Sequence, residues 1–242
     1  MQKENIGNGG TKMQKTKISW ADMTWNPVTG CLHGCPYCYA RKIAERFKGS
    51  KAWPQGFTPM LHPERLNDPV NMKKPQTIFV CSMADLFGEW VPDFWIELIF
   101  AEIQKAKQHT YIFLTKNPKR YMRIPGTYFS KNLWFGTTVT GMEGTQRICD
   151  LQKLPFGNKF ISFEPLLTNT GNLDLAYIRQ VIIGAQTNPT IEVTPDMVQP
   201  IGKACQNAHN IPMFCKDSMP MWAVRRELAW PLNKPTTRIQ DA

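Results

Sequence analysis

Residues Thr77-Ile-Phe-Val-Cys-Ser82 form a short apolar run, rich in β-branched and aromatic side chains, that ends in a polar residue. The segment that follows, Asp93 to Lys107, repeats its apolar residues at helical spacing. A buried run of strand length followed by a helical period is typical of a βα unit. This stretch therefore predicts a buried strand that leads into a helix.

The same alternation continues along the chain. The other predicted strands are Trp25 to Thr29, Tyr111 to Thr115, Leu133 to Val139, Lys159 to Phe163, Gln180 to Gly184 and Pro212 to Phe214. The other predicted helices are Tyr39 to Phe47, Glu143 to Leu151 and Pro195 to Ala208. Repeated βα units build a parallel sheet covered by helices. We therefore predict an α/β fold, a partial or nearly closed (β/α) barrel of about six or seven βα units.

The length of 242 residues fits one such domain. We expect the barrel to span 18–230, with a flexible basic tail at 1–17, an irregular C-terminal tail at 231–242 and a long irregular insertion at 49–71. The longest apolar runs are too short for a membrane span, and the first residues lack the apolar core of a signal peptide. These features predict a cytoplasmic protein.

The chain is strongly basic, with 29 Lys and Arg against 19 Asp and Glu and a net charge of +10. Such a surplus attracts polyanions, so DNA or a nucleotide is the leading predicted partner. A basic surface without a specific partner is the alternative.

Three of the seven cysteines lie in Cys31-Leu-His-Gly-Cys35-Pro-Tyr-Cys38, a C-x3-C-x2-C spacing in the predicted loop between the first strand and its helix. Three thiolates can hold three irons of a cubane and leave the fourth iron open to a small molecule. Two alternatives stay open. One is a zinc site completed by His33 or His62, and the other is an electron-transfer cluster with Cys81 as fourth ligand.

This motif, with the aromatic Tyr37 before its last cysteine, resembles that of the radical S-adenosylmethionine superfamily. The resemblance implies a barrel fold, a 4Fe-4S cluster on Cys31, Cys35 and Cys38, and S-adenosylmethionine bound at the open iron. It also implies an external electron donor of the flavodoxin or ferredoxin type and reductive cleavage of S-adenosylmethionine to a 5'-deoxyadenosyl radical.

A closer resemblance covers most of the chain and is to a phage-associated family of uncharacterised radical S-adenosylmethionine proteins, distantly similar to spore photoproduct lyase. The segments that carry it are Ile18 to Cys31, Ser82 to Phe87, Phe113 to Pro118, Ile161 to Leu167 and Val181 to Ala185. The resemblance implies action on DNA or a nucleotide, as base hypermodification, rearrangement or repair. A radical enzyme acting on a peptide or small metabolite, and a nucleic-acid-binding module with a structural metal, remain as alternatives.

In a barrel, the active site lies at the C-terminal ends of the strands, so polar residues near those ends are candidates. The predicted cofactor-binding residues are Tyr37, Ser82, Asp85, Thr115, Lys116, Glu164, Gly184 and Gln186. Ser82 and Asp85 are expected near the methionine amino group, and Lys116 near its carboxylate or a substrate phosphate. Glu164 would bind ribose hydroxyls or Lys116, and Gly184 would admit the adenine. Helix caps, turns and structural salt bridges are the competing interpretations.

The predicted catalytic residues are Cys81, Lys216 and Asp217. The two charged residues would face the barrel mouth, and the thiol of Cys81, or that of Cys215, would return a hydrogen atom to a substrate radical. Burial of both cysteines as small apolar groups is the favoured alternative. A basic and aromatic surface for bases and phosphates is a further hypothesis, built from Arg120, Arg123, Arg225, Arg226, Trp222 and Trp230.

Overall fold

The computed structural model describes residues 13–223 and 225–233, which form ten β-strands and five α-helices. In chain order these are β1 Gln14–Lys15, β2 Met23–Trp25, β3 Val28–Thr29, α1 Tyr39–Arg46, β4 Met60–Leu61, α2 Asp68–Asn71, β5 Thr77–Val80, α3 Asp93–Lys105, β6 Thr110–Thr115, β7 Leu133–Thr138, α4 Gln146–Gln152, β8 Asn158–Leu166, β9 Gln180–Ala185, α5 Pro195–Asn207 and β10 Met213–Cys215. None of the helices in these ranges has the length and apolar character that a membrane crossing requires.

Eight strands form one sheet in the order β1-β2-β5-β6-β7-β8-β9-β10. All neighbours from β2 to β10 run parallel, and β1 is an antiparallel edge strand. The predicted α/β fold with a partial barrel is confirmed. An α-helix fills four of the six parallel crossovers. The β6–β7 crossover holds the short 3-10 helices Pro118–Arg123 and Gly126–Tyr128, and the β8–β9 crossover is irregular.

Most predicted element bounds agree with the structure to within a few residues. The predicted strand from Trp25 to Thr29 instead divides into β2 and β3, which belong to different sheets. Pro27 lies between them and has no N–H for a sheet ladder. The 49–71 insertion is also more regular than predicted. It contains α2 and β4, and β4 pairs antiparallel with β3.

Both faces of the main sheet are apolar, as expected for parallel strands covered on each side. One face packs with the helices in a large core that includes Tyr111, Phe113 and Phe135. The other face carries a second cluster, which we call the aromatic plug. Its buried members are Trp20, Ala21, Phe79, Ile112, Trp134, Phe160, Ile182, Phe214 and Trp230.

Segments near both ends of the described chain complete the plug. Trp230 Nε1 donates to the Trp20 carbonyl oxygen at 2.9 Å, and the Asn233 N–H donates to Asp22 Oδ1 at 2.9 Å. Because β1 pairs with β2, the part of the predicted N-terminal tail that the structure describes is ordered into the sheet. The remaining parts of the two predicted tails, 1–12 and 234–242, lie outside the described residues.

Replacing Trp230 tests whether the C-terminal segment stabilises the barrel. Trp230 is 4% exposed, whereas Trp222 is 52% exposed and provides a matched control. We expect Trp230→Ala to lower the free energy of unfolding by about 3–5 kcal/mol, because a large buried ring is removed. Trp222→Ala should change it by no more than about 0.5 kcal/mol. Urea denaturation measures both, and equal decreases would contradict a stabilising role for the plug.

Candidate functional site

A cavity of about 630 Å³ opens at the C-terminal ends of the parallel strands, above the aromatic plug. Most of the residues singled out from the sequence line it. They are Cys31, Cys35, Tyr37, Cys38, Ser82, Asp85, Thr115, Lys116, Glu164, Gln186, Lys216 and Asp217. Cys81 and Gly184 are not among its lining residues. The fold thus brings twelve separately predicted side chains to one place.

The cysteine loop lies between β3 and α1, and its three thiols are free and partly exposed. Cys38 caps α1, since its Sγ accepts the Arg41 N–H at 3.3 Å. The Arg41 guanidinium donates back to the Cys31 carbonyl oxygen at 3.0 Å, which closes the loop on the helix. Gly34, at φ +69°, has the left-handed conformation that favours glycine and allows the tight turn between cysteines.

The surroundings of Cys31 favour its thiol form in the absence of a metal. Burial raises the pKa of Cys31 to about 11, and the negative charges of Asp85, Cys35 and Cys38 contribute in the same direction. A free Cys31 is therefore protonated at neutral pH. Iron binding would displace that proton, because thiolates are the ligands of iron–sulfur clusters.

Three cysteines facing one cavity fit a cubane, in which each thiolate binds a different iron. Among the described residues, no three His, Cys, Asp or Glu side chains already surround a single ion position. Both histidines of the zinc alternative have other partners. His33 Nε2 is 2.7 Å from Asp85 Oδ2, and His62 Nε2 is 2.8 Å from Thr29 Oγ1. Cys81, proposed as a fourth cluster ligand, is buried in the main core.

Asp85 joins the cysteine loop to two strand ends. Its Oδ1 accepts the Phe87 N–H at 3.1 Å and the Thr115 hydroxyl at 2.7 Å. Its Oδ2 accepts the Lys116 N–H at 2.9 Å and forms the contact with His33. We call these five residues the Asp85 network. Since both carboxylate oxygens already have two protein partners, the network favours a positioning role for Asp85.

The network also fixes the charge of Asp85. Burial disfavours the carboxylate, but the hydrogen bonds from His33, Thr115 and Lys116 outweigh burial and lower its pKa. Asp85 is therefore ionised at neutral pH. A buried carboxylate is tolerated only when its oxygens are satisfied, and here they are.

Lys116 and Tyr37 meet on the cavity wall. The Lys116 Nζ lies 5.4 Å from the centre of the Tyr37 ring, within cation–π range. Burial raises the pKa of Tyr37, and the positive charge of Lys116 partly opposes this shift. Within the described residues, Lys116 forms no ion pair with a carboxylate. The predicted contact between Lys116 and Glu164 is wrong, because Glu164 pairs with Lys216 instead.

The Glu164–Lys216 pair occupies the space beside Gly184. A Cβ on Gly184 would lie 3.0 Å from Lys216 Cδ and 3.2 Å from Glu164 Cδ. The missing side chain thus makes room for this ion pair, whereas the sequence suggested room for adenine. Asp217 is paired with Arg226.

The hydroxyl and amide groups predicted for the cofactor have protein partners as well. Ser82 Oγ is 3.2 Å from Asn26 Oδ1. The amide of Gln186 donates to the Pro189 carbonyl oxygen at 2.9 Å. Both side chains therefore also support the loops that form the cavity rim.

The two candidate hydrogen-atom donors lie in the core. Cys81 is 3% exposed, and burial raises its pKa to about 12. Cys215 is 2% exposed, and burial raises its pKa too. The structure thus places both thiols where the apolar interpretation expects them. The hypothesis of one basic and aromatic surface is wrong for two members, because Arg120 is 3% and Trp230 is 4% exposed.

Several cavity residues did not stand out in the sequence. Thr138 and Ser162 are paired in register on β7 and β8, and Ser162 Oγ is buried without a hydrogen-bond partner in the described structure. Both lie within strands, whereas the sequence pattern favours residues that follow strands. His33 and Lys42 were also missed in this role. His33 lies inside the cysteine loop, where its place between two cysteines gave no sign of a partner, and Lys42 lies on α1, whose 3.6-residue period does not specify a cavity.

The structure resembles spore photoproduct lyase in fold. A structure described as spore photoproduct lyase complexed with dinucleoside spore photoproduct matches with a TM-score of 0.52 and 11% identity. The match covers 83% of this chain and 65% of that chain. A mutant of that lyase with bound AdoMet and dinucleoside spore photoproduct also matches, with a TM-score of 0.52, 11% identity and coverage of 81% and 64%. The chain thus spans somewhat less than two thirds of their length.

No match is found among the curated proteins. The family described as "Protein of unknown function (DUF5131)" matches residues 15–228, which is most of the chain. The protein therefore belongs to the DUF5131 family.

Proposed function

We propose that this protein is a radical S-adenosylmethionine enzyme that acts on DNA or a nucleotide. The observation that carries the proposal is the position of Cys31, Cys35 and Cys38 at one cavity on the C-terminal ends of a partial (β/α) barrel. The strand ends are where barrel enzymes bind their reactants. The fold likeness to spore photoproduct lyase supports the same assignment.

The chain's own residues would bind the cofactors, hold them in position and form the floor of the site. The three cysteines would hold a 4Fe-4S cluster, which supplies, when bound, the electron that splits S-adenosylmethionine into methionine and a 5'-deoxyadenosyl radical. Lys116, which lacks a carboxylate partner among the described residues, is the candidate for the methionine carboxylate. The Asp85 network fixes the backbone of Lys116 against the cysteine loop. The plug closes the cavity floor with buried apolar side chains, so solvent does not enter from that side.

The charge of the chain and the structures that it resembles support the choice of substrate class. The net charge of +10 favours a polyanion. The similar lyase structures hold a dinucleoside photoproduct. We therefore favour base hypermodification, rearrangement or repair, with a flavodoxin- or ferredoxin-type protein as external electron donor.

Replacing one cluster cysteine tests the enzyme assignment. After anaerobic reconstitution, the unaltered chain should bind about four irons and release 5'-deoxyadenosine from S-adenosylmethionine under reducing conditions. Cys35→Ala should lose most of the iron and all of the 5'-deoxyadenosine. Cys149→Ala is the control, since Cys149 is exposed on α4 and is not among the cavity residues. Stoichiometric zinc on the three cysteines, with no 5'-deoxyadenosine, would refute the radical assignment.

Replacing Asp85 tests the network. Each carboxylate oxygen of Asp85 has two protein partners, so the NH2 group of Asp85→Asn would face two of these groups instead of accepting from them. The cysteine loop and the chain at Lys116 should therefore lose their alignment. We expect iron content to persist and the rate of S-adenosylmethionine cleavage to fall about 100-fold, the effect of a displacement of about 1 Å. Asp150→Asn is a matched control, because Asp150 is 7% exposed and is not among the cavity residues. An unchanged rate in Asp85→Asn would contradict the positioning role.

The substrate class can be tested by asking which molecules increase the rate of S-adenosylmethionine cleavage. S-adenosylmethionine cleavage by the reconstituted enzyme should increase with a DNA, RNA or nucleotide substrate, because binding of the true substrate orders the reaction site. High-performance liquid chromatography of 5'-deoxyadenosine measures this against peptide and metabolite pools. Stimulation by a peptide or metabolite alone would exclude a nucleic-acid substrate.

A further inference from the structure

Around the cavity, the carboxylates have protein partners, whereas several lysines have no carboxylate partner among the described residues. Each carboxylate on its wall has protein partners. Asp85 is surrounded by its network, Glu164 pairs with Lys216, and Asp217 pairs with Arg226. Among the residues that the structure describes, the wall therefore presents no carboxylate without a protein partner, and two of the three carboxylates are neutralised by a cation.

Three lysines on the same wall lack an ion pair with any described carboxylate. They are Lys17, Lys42 and Lys116. Lys17 and Lys42 are exposed, and Lys116 is partly buried. The Nζ of Lys42 donates to the Asn188 carbonyl oxygen at 3.3 Å, a neutral acceptor that leaves its charge uncompensated.

S-adenosylmethionine carries one carboxylate, and Lys116 is the candidate that contacts it. Two ammonium groups then remain for another ligand. Lys17 precedes the plug residue Trp20, whereas Lys42 lies on α1, so these charges come from separate segments of the rim. A ligand with more than one anionic group can pair with both.

Aromatic rings accompany these lysines. Tyr39 is 54% exposed on the same cavity, and its hydroxyl is held by the Ser82 carbonyl oxygen at 2.6 Å. Tyr37, two residues earlier in the chain, lines the same cavity. Cationic grooves with aromatic rings are the general arrangement for single nucleic-acid strands, in which phosphates contact lysines and bases stack on rings.

We propose that Lys17 and Lys42 bind backbone phosphates of the substrate, so that the enzyme takes a phosphodiester-linked strand and not a free nucleoside. This inference rests on the proposed function and narrows its substrate class. Each phosphate that a lysine neutralises releases counterions, so it makes affinity depend on salt.

The test is equilibrium binding of a fluorescein-labelled, mixed-sequence single-stranded DNA to the reconstituted full chain, measured by fluorescence anisotropy over a range of KCl concentrations. Lys17→Gln combined with Lys42→Gln should reduce the slope of log K against log salt by about 1.4, or about 0.7 for each phosphate that is no longer neutralised. Unlabelled nucleosides should fail to displace the probe, and short unlabelled oligonucleotides should displace it.

Two variants serve as controls. Lys131→Gln removes an exposed lysine just before β7, at the opposite end of the sheet, and should leave the slope unchanged. Lys17→Arg with Lys42→Arg keeps both charges and should retain binding. A double Gln variant with the slope of Lys131→Gln would overturn the inference, as would displacement of the probe by nucleosides.

The outcomes separate this inference from the proposed function, because the binding assay does not depend on catalysis. If S-adenosylmethionine is cleaved but the slope is insensitive to Lys17 and Lys42, only the inference fails. If the slope changes as expected but 5'-deoxyadenosine is never formed, the proposed function fails and phosphate binding stands.

Discussion

The buried carboxylate of Asp85 is the interaction on which the geometry of the cavity depends. It accepts hydrogen bonds that originate in the cysteine loop, in its own turn and at the end of β6. These segments are distant in sequence, and no sheet ladder connects the loop to β6. One ionised group thus sets the position of the cysteines relative to the strand ends. Removal of any single donor would leave the charge undercompensated at a buried position, which is costly.

The aromatic plug forms the floor of the cavity whose wall Asp85 holds in place. The same alternation of side chains that packs helices on one face of the sheet directs large rings to the other. Along a strand, the large rings are followed by polar residues near the C-terminal end. The change from apolar to polar residues therefore marks where the plug ends and the cavity begins. On β8, for example, Phe160 belongs to the plug, whereas Ser162 and Glu164 line the cavity. The cavity floor therefore forms because every second side chain of a strand points to the same face of the sheet.

The succession of buried apolar runs and helical periods explains why the sequence predicted so much of the fold. Short buried runs separated by helical periods define strand and helix positions, and parallel strands necessarily bring their C-terminal ends to one side. Pairings between side chains have no such regularity. The sequence offers no period that assigns Glu164 to Lys216 and not to Lys116, or that directs His33 to Asp85. Such contacts depend on the heights and directions of side chains within the folded barrel, so local patterns do not determine them.

Side-chain pairing also decides whether a net positive charge becomes a binding surface. The surplus of +10 is visible in the composition, yet Arg120, one of the arginines first considered for recognition, is buried and paired with Asp93. A cation whose charge is neutralised within the fold attracts no external anion, however basic the chain. The relevant cations are those that folding leaves uncompensated beside the reaction site. On the cavity wall, Lys216 offsets Glu164 and Arg226 offsets Asp217, so Lys17, Lys42 and Lys116 face only the hydrogen-bonded carboxylate of Asp85. This local surplus of positive charge favours an anionic substrate over a neutral one.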